Sequence, residues 1–135
     1  MALVDSCIII DLQNPADHWH RWSSLAMETA AGAGSLRINH VILAEILSSP
    51  APDRARTHVD LLGLRIDPLD DAIAARAGAA QRVYRSRGGP RAAIITDFLI
   101  GAHAAVRGWP LITRDRQRFA GYFPELVLVA PEDRP

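Results

Sequence analysis

The sequence predicts an α/β protein in which five short parallel strands form a sheet that helices cover on both faces. Short apolar runs alternate along the chain with longer segments of helical periodicity. The runs are apolar on both faces, as strands of a covered parallel sheet are. At 135 residues the chain can bury one sizeable core, and no linker or repeat divides it. We therefore expect a single three-layer α/β/α domain over residues 1–135.

Five runs are predicted as strands because each is short and rich in Leu, Ile or Val. They comprise residues 2–4, 36–38, 64–66, 111–113 and 126–129. Helices are predicted between them, where apolar residues recur every three or four positions. They comprise residues 16–31, 40–49, 53–62, 71–87 and 98–106. The glycines of AGAGS end the first helix, and the segment SRGGPRA at 86–92 is predicted as a mobile loop.

Composition excludes several classes of active site. All 15 basic residues are arginine, and 15 acidic residues balance them. Without lysine the chain cannot build a Walker-type phosphate loop, a two-component receiver site or a haloacid-dehalogenase-type phosphatase site. The glycine-rich AGAGS follows a helix and precedes a strand, the reverse of the order in a phosphate-binding loop. This order argues against a doubly wound domain with a small-molecule pocket.

The remaining bulk features favour a cytoplasmic protein. No apolar run approaches the roughly 20 residues that span a bilayer. The first residues, MALVDSCIIIDLQ, carry two acids and no base, unlike a signal peptide. The single cysteine, Cys7, allows no intrachain disulfide and is interpreted as a small buried residue.

Four acidic residues stand beside apolar sequence where strands end or helices begin. Asp5 and Asp115 follow the first and fourth strands, Asp97 precedes FLIGAHAAV, and Glu45 is the one charge within the apolar NHVILAEILSS. Ligands of open parallel sheets bind beyond the carboxyl ends of the strands. Clustered carboxylates repel one another unless a cation holds them, and an all-oxygen ligand set suits Mg²⁺ or Mn²⁺. The sequence therefore predicts a divalent-metal site.

Each acid also has a purely structural interpretation. Asp5 and Asp115 can be N-caps or turn residues, with Ser6 and Thr113 as neighbouring hydroxyls. The other two acids can cap a helix or reach solvent from a helix surface. The tryptophans and His103 are interpreted as packing residues, and the neighbouring His18 and His20 as surface residues.

Four segments, taken in order, resemble PIN-domain nucleases, and most closely the VapC-type ribonuclease toxins of bacterial toxin–antitoxin modules. They are VDSCIIID, NHVILAEIL, ITDFLIGAHAAVRGWPLITRD and RFAGYFPELVLVAP. The resemblance covers nearly the whole chain. Its most specific part is D-x-x-I-x-A-x-A followed by G-x-P-L-x-T-x-D. The chain departs from the family pattern at Cys7, where relatives often carry a small polar residue, and in TRDRQRF, which lacks a further acid after Asp115.

The resemblance implies a PIN-like fold with a five-stranded parallel sheet, and a Mg²⁺-dependent endoribonuclease that acts as a toxin. Mn²⁺ is the alternative cofactor. The implied metal ligands are Asp5, Glu45, Asp97 and Asp115, and the implied supporting hydroxyls are Ser6 and Thr113. The implied partners are RNA, a cognate antitoxin and a second copy of the chain. The alternative function is that of a catalytically degenerate PIN domain that only binds RNA or protein.

Two groups of arginines flank this acidic site in the sequence. Four lie around the SRGGP loop, at Arg82, Arg85, Arg87 and Arg91, and three follow the fourth strand, at Arg114, Arg116 and Arg118. From these we select Arg85, Arg87, Arg114 and Arg116 as candidate contacts to RNA phosphates, the alternative being a solvated surface.

The helices predicted at 40–49 and 53–62 carry more apolar surface than one narrow core stripe needs. We expect an antitoxin helix to bind there. The alternative is that both helices are buried within the domain.

Overall fold

A computed structural model of the chain describes residues 1–90 and 95–132. The strands are β1 (Ala2–Val4), β2 (Leu36–Ile38), β3 (Arg65–Ile66), β4 (Leu111–Ile112) and β5 (Leu128–Val129). The helices are α1 (Ser6–Leu12), α2 (His20–Ala33), α3 (His40–Leu47), α4 (Pro52–Leu61), α5 (Asp71–Ser86), α6 (Thr96–Arg107) and α7 (Arg116–Ala120).

The five strands form one sheet in the order β3-β2-β1-β4-β5, and every pair is parallel. The chain runs outward from β1 through β2 to β3, then returns to place β4 on the other side of β1. The strand order therefore reverses between β1 and β4, where open α/β sheets form their ligand crevice. This arrangement confirms the predicted α/β fold with a five-stranded parallel sheet.

The two central strands lie in the middle of the core. Leu3 and Val4 of β1 and Leu111 and Ile112 of β4 are fully buried, so these strands are covered on both faces, as their composition predicts. Leu3 pairs with Leu111, and Val4 pairs with Ile112. This register brings the residues that directly follow both strands to the same edge of the sheet.

A buried polar network ties α6 to the ends of β2 and β3. Asn39, which follows β2, donates its Nδ2–H to His103 Nδ1 at 2.9 Å. Nδ1 therefore accepts, and the opposite nitrogen, Nε2, donates to Asp67 Oδ2 at 2.6 Å. Arg107 also donates to Asp67, at 2.8 Å. His103 is fully buried, in agreement with its interpretation as a packing residue.

Helices α1 and α7 have no counterpart among the predicted elements. Both are short, with seven and five residues, so neither shows enough turns for periodicity to reveal it. Helix α2 begins at His20 instead of residue 16, because residues 14–19 form turns. Strands β3, β4 and β5 are each two residues long, shorter than predicted.

The predicted loop at 86–92 is described as far as residue 90. Arg91 and the apolar residues 92–94 ahead of Asp97 lie outside the described residues. Within residues 1–90 and 95–132, no helix combines the length and apolar character needed to cross a membrane.

Candidate active site

Asp5 lies at the centre of the candidate site and is 1% exposed. It is the N-cap of α1, and its Oδ1 accepts a hydrogen bond from the Ser6 backbone N–H at 2.8 Å. Its Oδ2 accepts from the Thr113 hydroxyl at 2.8 Å. These contacts hold the carboxylate by both oxygens, yet Oδ1 keeps a lone pair for a further partner. Because Thr113 directly follows β4, the β1–β4 pairing sets the position of Asp5.

Glu45 reaches the same place from α3. The Ser6 hydroxyl donates to its Oε1 at 3.2 Å, so Ser6 contacts Asp5 through its backbone and Glu45 through its side chain. Burial raises the pKa of Glu45, and the charges of Asp5 and Asp97 act in the same direction. Three of the four predicted acids are thus close enough to repel one another.

Asp97 and Asp115 are joined by an arginine. Asp97 lies in the first turn of α6, and Asp115 is the N-cap of α7. The Arg118 guanidinium contacts Asp97 Oδ1 through Nη1 at 3.2 Å and Asp115 Oδ2 through Nε at 3.3 Å. Burial raises the pKa of Asp97, and the charges of Asp5 and Asp115 add to this effect against the opposing charge of Arg118.

Cys7 adds a neutral group beside these acids. Its Sγ lies 3.6 Å from Asp5 Oδ2. Burial, and then the charge of Asp5, raise the pKa of the Cys7 thiol to about 11. The thiol is therefore protonated at neutral pH and can donate only a weak hydrogen bond.

The donor set suits a hard divalent cation in its chemistry. It consists of carboxylate oxygens with hydroxyls beside them, and two of the acids have raised pKa values that a cation would lower. In the described parts of the chain, no three carboxylate, imidazole or thiol groups converge closely enough to hold an ion as they stand. Asp97 and Asp115 turn toward Arg118 instead. Metal binding beside Asp5 and Glu45 therefore requires Asp97 to turn from Arg118 toward the ion.

Arg114, one of the predicted RNA contacts, pairs with a different acid, Asp11. Its Nε lies 2.9 Å from Oδ2 of Asp11, a carboxylate that is 1% exposed. Ser23 donates to the same oxygen at 2.7 Å. The Arg114 guanidinium also lies 5.7 Å from the centre of the Trp19 ring. Sequence inspection did not single out Asp11, because one acid in the run CIIIDLQ gives no sign of its partners.

The other three predicted RNA contacts are exposed. Arg85 lies in the last turn of α5. Arg87 donates to the Gly121 carbonyl at 3.1 Å, and Arg116 donates to the Ala130 carbonyl at 3.3 Å. These contacts tie the two arginines to the segments around α7 and β5. They leave further guanidinium N–H groups for other acceptors, since a guanidinium has five.

The site residue that the sequence did not assign is Arg118. Its contact with Asp115 could have been predicted, because the two residues are three positions apart, a spacing that brings side chains together on a helix. Its contact with Asp97 carries no such signal, since the two residues lie 21 positions apart.

Comparison with known protein families decides the classification. The family described as the PIN domain matches residues 2–122 of the chain. The chain belongs to the PIN domain family. In this PIN domain, the four predicted acids are linked in two pairs, Asp5 with Glu45 through Ser6 and Asp97 with Asp115 through Arg118. The family resemblance found in the sequence is thereby confirmed.

Solved structures similar to this PIN domain include VapBC2, FitAcB and a toxin–antitoxin complex. VapBC2 from Rickettsia felis, bound to a DNA fragment from its promoter, has 18% identity, a TM-score of 0.73 and coverage of 96% of this chain and 97% of that chain. A toxin–antitoxin complex from Klebsiella pneumoniae has 26% identity, a TM-score of 0.65 and coverage of 94% and 96%. FitAcB from Neisseria gonorrhoeae has 22% identity, a TM-score of 0.62 and coverage of 95% and 96%. Comparison with curated proteins gives no match.

Proposed function

We propose that this PIN domain is a Mg²⁺-dependent endoribonuclease and the VapC-type toxin of a type II toxin–antitoxin module, acting in the cytoplasm. The observation that carries the proposal is the meeting of four acids from separate elements beside the β1–β4 crevice. Ser6 links Asp5 to Glu45, and Arg118 links Asp97 to Asp115. Membership of the PIN domain family and the likeness to VapBC structures support the same function.

In this proposal Asp5 and Asp97 bind the ion most directly, while Glu45 and Asp115 bind it directly or through water. A bound divalent ion lowers the pKa of a coordinated water molecule and stabilises charge on the scissile phosphate. Thr113 holds Asp5 in place through its 2.8 Å hydrogen bond. We expect hydrolysis of the P–O3′ bond, which leaves 5′-phosphate and 3′-hydroxyl ends.

RNA is a polyanion, and an acidic cluster repels it unless positive groups lie nearby. We propose that phosphates flanking the cut bind Arg85, Arg87, Arg114 and Arg116. Arg85 carries the clearest expectation, because it is exposed at the end of α5. Neutralising Arg85 together with Arg87 should weaken RNA binding and flatten its salt dependence, while an unchanged salt slope would assign both residues to the solvated surface.

A toxin of this kind requires a partner that silences it, and we propose a cognate antitoxin and a homodimer of the toxin. On α3, one face is buried in the core, while Val41 and Ala44 line an open and mostly apolar recess. On α4, Leu61 is 80% exposed. A recess of about 430 Å³ beside Leu61 extends to Leu12 and Pro15. This part of the predicted surface remains available to an apolar side chain of a partner.

A degenerate PIN domain that only binds RNA or protein is the rival function, and a cleavage assay separates the two. Purified protein is incubated with total RNA in Mg²⁺ or in EDTA, and the new RNA ends are mapped. The wild type should cut only with Mg²⁺, and Asp97→Asn should not cut. Asp53→Asn is the matched control, because Asp53 is exposed on α4 and lies outside the cluster. RNA binding without any metal-dependent cut would establish the rival function.

Toxicity tests the biological part of the proposal. Induction of the wild type in a bacterial host should stop growth, and induction of Asp97→Asn should not. Co-expression of the adjacent reading frame should restore growth to the wild-type strain. Harmless expression of a protein that cuts RNA in vitro would contradict the toxin assignment and leave the nuclease assignment intact.

A further inference from the structure

Arg118 bridges two of the four acids of the candidate site. Its Nη1 lies 3.2 Å from Asp97 Oδ1, and its Nε lies 3.3 Å from Asp115 Oδ2. Its charge also interacts with Asp5 and Glu45. One guanidinium thus interacts with all four carboxylates. It occupies a position among them where a metal cation could otherwise bind.

Local structure explains how the guanidinium reaches this place. The Asp115 side chain caps α7 by accepting a hydrogen bond from the Arg118 backbone N–H at 3.3 Å. The cap sets the first turn of α7, and the three-residue spacing then directs the arginine back over its own cap residue. The Arg118 side chain is 47% exposed, so one side of the guanidinium faces solvent and can meet a ligand that arrives from there.

We propose that Arg118 replaces a second metal ion in this nuclease. One divalent ion binds on the side of Asp5, Glu45 and Asp97, and the guanidinium supplies the other positive charge beside Asp115. With RNA bound, its remaining N–H groups donate to oxygens of the scissile phosphate. This inference rests on the proposed metal-dependent function and specifies how many ions that function uses.

Two physical arguments carry the assignment. A second divalent ion beside Asp115 would lie within a few ångströms of a fixed positive charge, and the two would repel strongly in a partly buried site. An arginine also suits a phosphate better than a lysine, since its planar fork can donate two parallel N–H bonds. Two of its donors already meet carboxylates in the structure, which holds the fork in one orientation.

The test counts bound ions instead of measuring cleavage. Mn²⁺ binding is followed by electron paramagnetic resonance of the free ion for the wild type, Arg118→Ala, Arg118→Lys and Arg118→Glu. The wild type and Arg118→Lys should bind one ion, because both keep the charge. Arg118→Glu should bind two, and Arg118→Ala should take up a second ion at free Mn²⁺ concentrations roughly tenfold below any at which the wild type does so.

Arg116→Glu is the matched control. It makes the same change of charge in the same helix, and its guanidinium donates to the Ala130 carbonyl on the neighbouring segment after β5. It should bind one ion, and two ions here would attribute the effect to net charge and overturn the inference. Thermal melts of each variant verify that α7 is intact.

The outcomes separate this inference from the function on which it rests. A wild type that binds two ions with the same affinities as Arg118→Glu would overturn the role of Arg118 and leave the metal-dependent nuclease standing. A wild type that binds no Mn²⁺, together with an Asp97→Asn variant of the same behaviour, would overturn both proposals. One ion in the wild type and two in Arg118→Glu would support both.

Discussion

Replacing Thr113 by valine removes one hydroxyl and keeps the shape of the side chain. Thr113 is fully buried, so valine fills the same space without strain. Three contacts disappear with the hydroxyl. It donates to Asp5 Oδ2 at 2.8 Å, accepts from the Asp115 backbone N–H at 3.2 Å, and lies 3.9 Å from Cys7 Sγ, a weak contact.

The size of the effect follows from what those contacts hold. A buried hydrogen bond to a charged group contributes about 1.5–3 kcal/mol to the free energy of unfolding. The Asp115 N–H is only partly buried, so water can replace its partner and the further cost is roughly 0.5 kcal/mol. We therefore expect Thr113→Val to lose about 2–3 kcal/mol of stability. Since Asp5 also loses a partner that orients it, the affinity for Mn²⁺ should fall about 10- to 100-fold.

Urea denaturation in EDTA, followed by circular dichroism, measures the loss of stability. With a slope of about 2 kcal/mol/M, the midpoint should fall by roughly 1 M. Thr57→Val is the control, because the Thr57 hydroxyl is exposed and donates only to the Asp53 carbonyl of its own helix. It should stay within about 0.5 kcal/mol of the wild type. A Thr113→Val variant that matches this control would refute the role assigned to the Thr113–Asp5 contact.

Three further predictions address charge, reactivity and packing. Burial raises the pKa of Asp97 above its ordinary value of 3.8. The folded protein therefore loses stability as the pH rises through the raised pKa, because Asp97 must then ionise in a partly buried place. The melting temperature of metal-free Asp97→Asn should therefore equal or exceed that of the wild type at pH 7, and the two temperatures should converge near pH 4. Thermal melts across this pH range in which the variant melts below the wild type at pH 7 would contradict this prediction. With its pKa raised to about 11, Cys7 should react with iodoacetamide at pH 8 far more slowly in the folded protein than in urea, and Asp5→Asn should speed the folded reaction by removing a charge that raises this pKa. Equal rates for Asp5→Asn and the wild type would contradict that coupling. Gly101→Ala should cost about 1–3 kcal/mol, because the added Cβ would lie 2.5 Å from a buried aromatic ring. Gly32→Ala, with no atom within 4 Å of its new Cβ, should be neutral or stabilising, and urea midpoints that rank the two glycine variants the other way would contradict the packing.

The central strands could be predicted because they are short runs of residues that are apolar on both faces, as buried parallel strands are. Strands β1 and β2 begin and end at the predicted residues, and α5 ends one residue before its predicted end. Helix α1 could not be predicted in the same way, since its three consecutive isoleucines are β-branched and favour strands. Its helical form depends on the Asp5 cap and on packing against its neighbours, which are tertiary effects.

The acids of the candidate site also differ in how far the sequence predicts their positions. Asp5 and Asp115 follow neighbouring parallel strands, so the rule for strand ends places them together. Both are N-caps, so the structural interpretation of these two acids is confirmed. The same cap contacts hold the two carboxylates of the candidate site. Glu45 joins them through a hydrogen bond to Ser6 across 39 positions, which no local pattern in the sequence reports.

The hydrogen bond between Thr113 and Asp5 spans 108 positions of the chain, and this separation matters during protein synthesis. A ribosome makes Asp5 directly after β1 and must then add β2, β3 and six helices before β4 can lie beside β1. Domains fold as units once their residues are available. The nascent chain therefore carries the first acid for most of its synthesis without the residues that orient it. The four acids can come together only after α7 has been made. Fragments from interrupted translation that lack β4 and α7 should therefore be harmless.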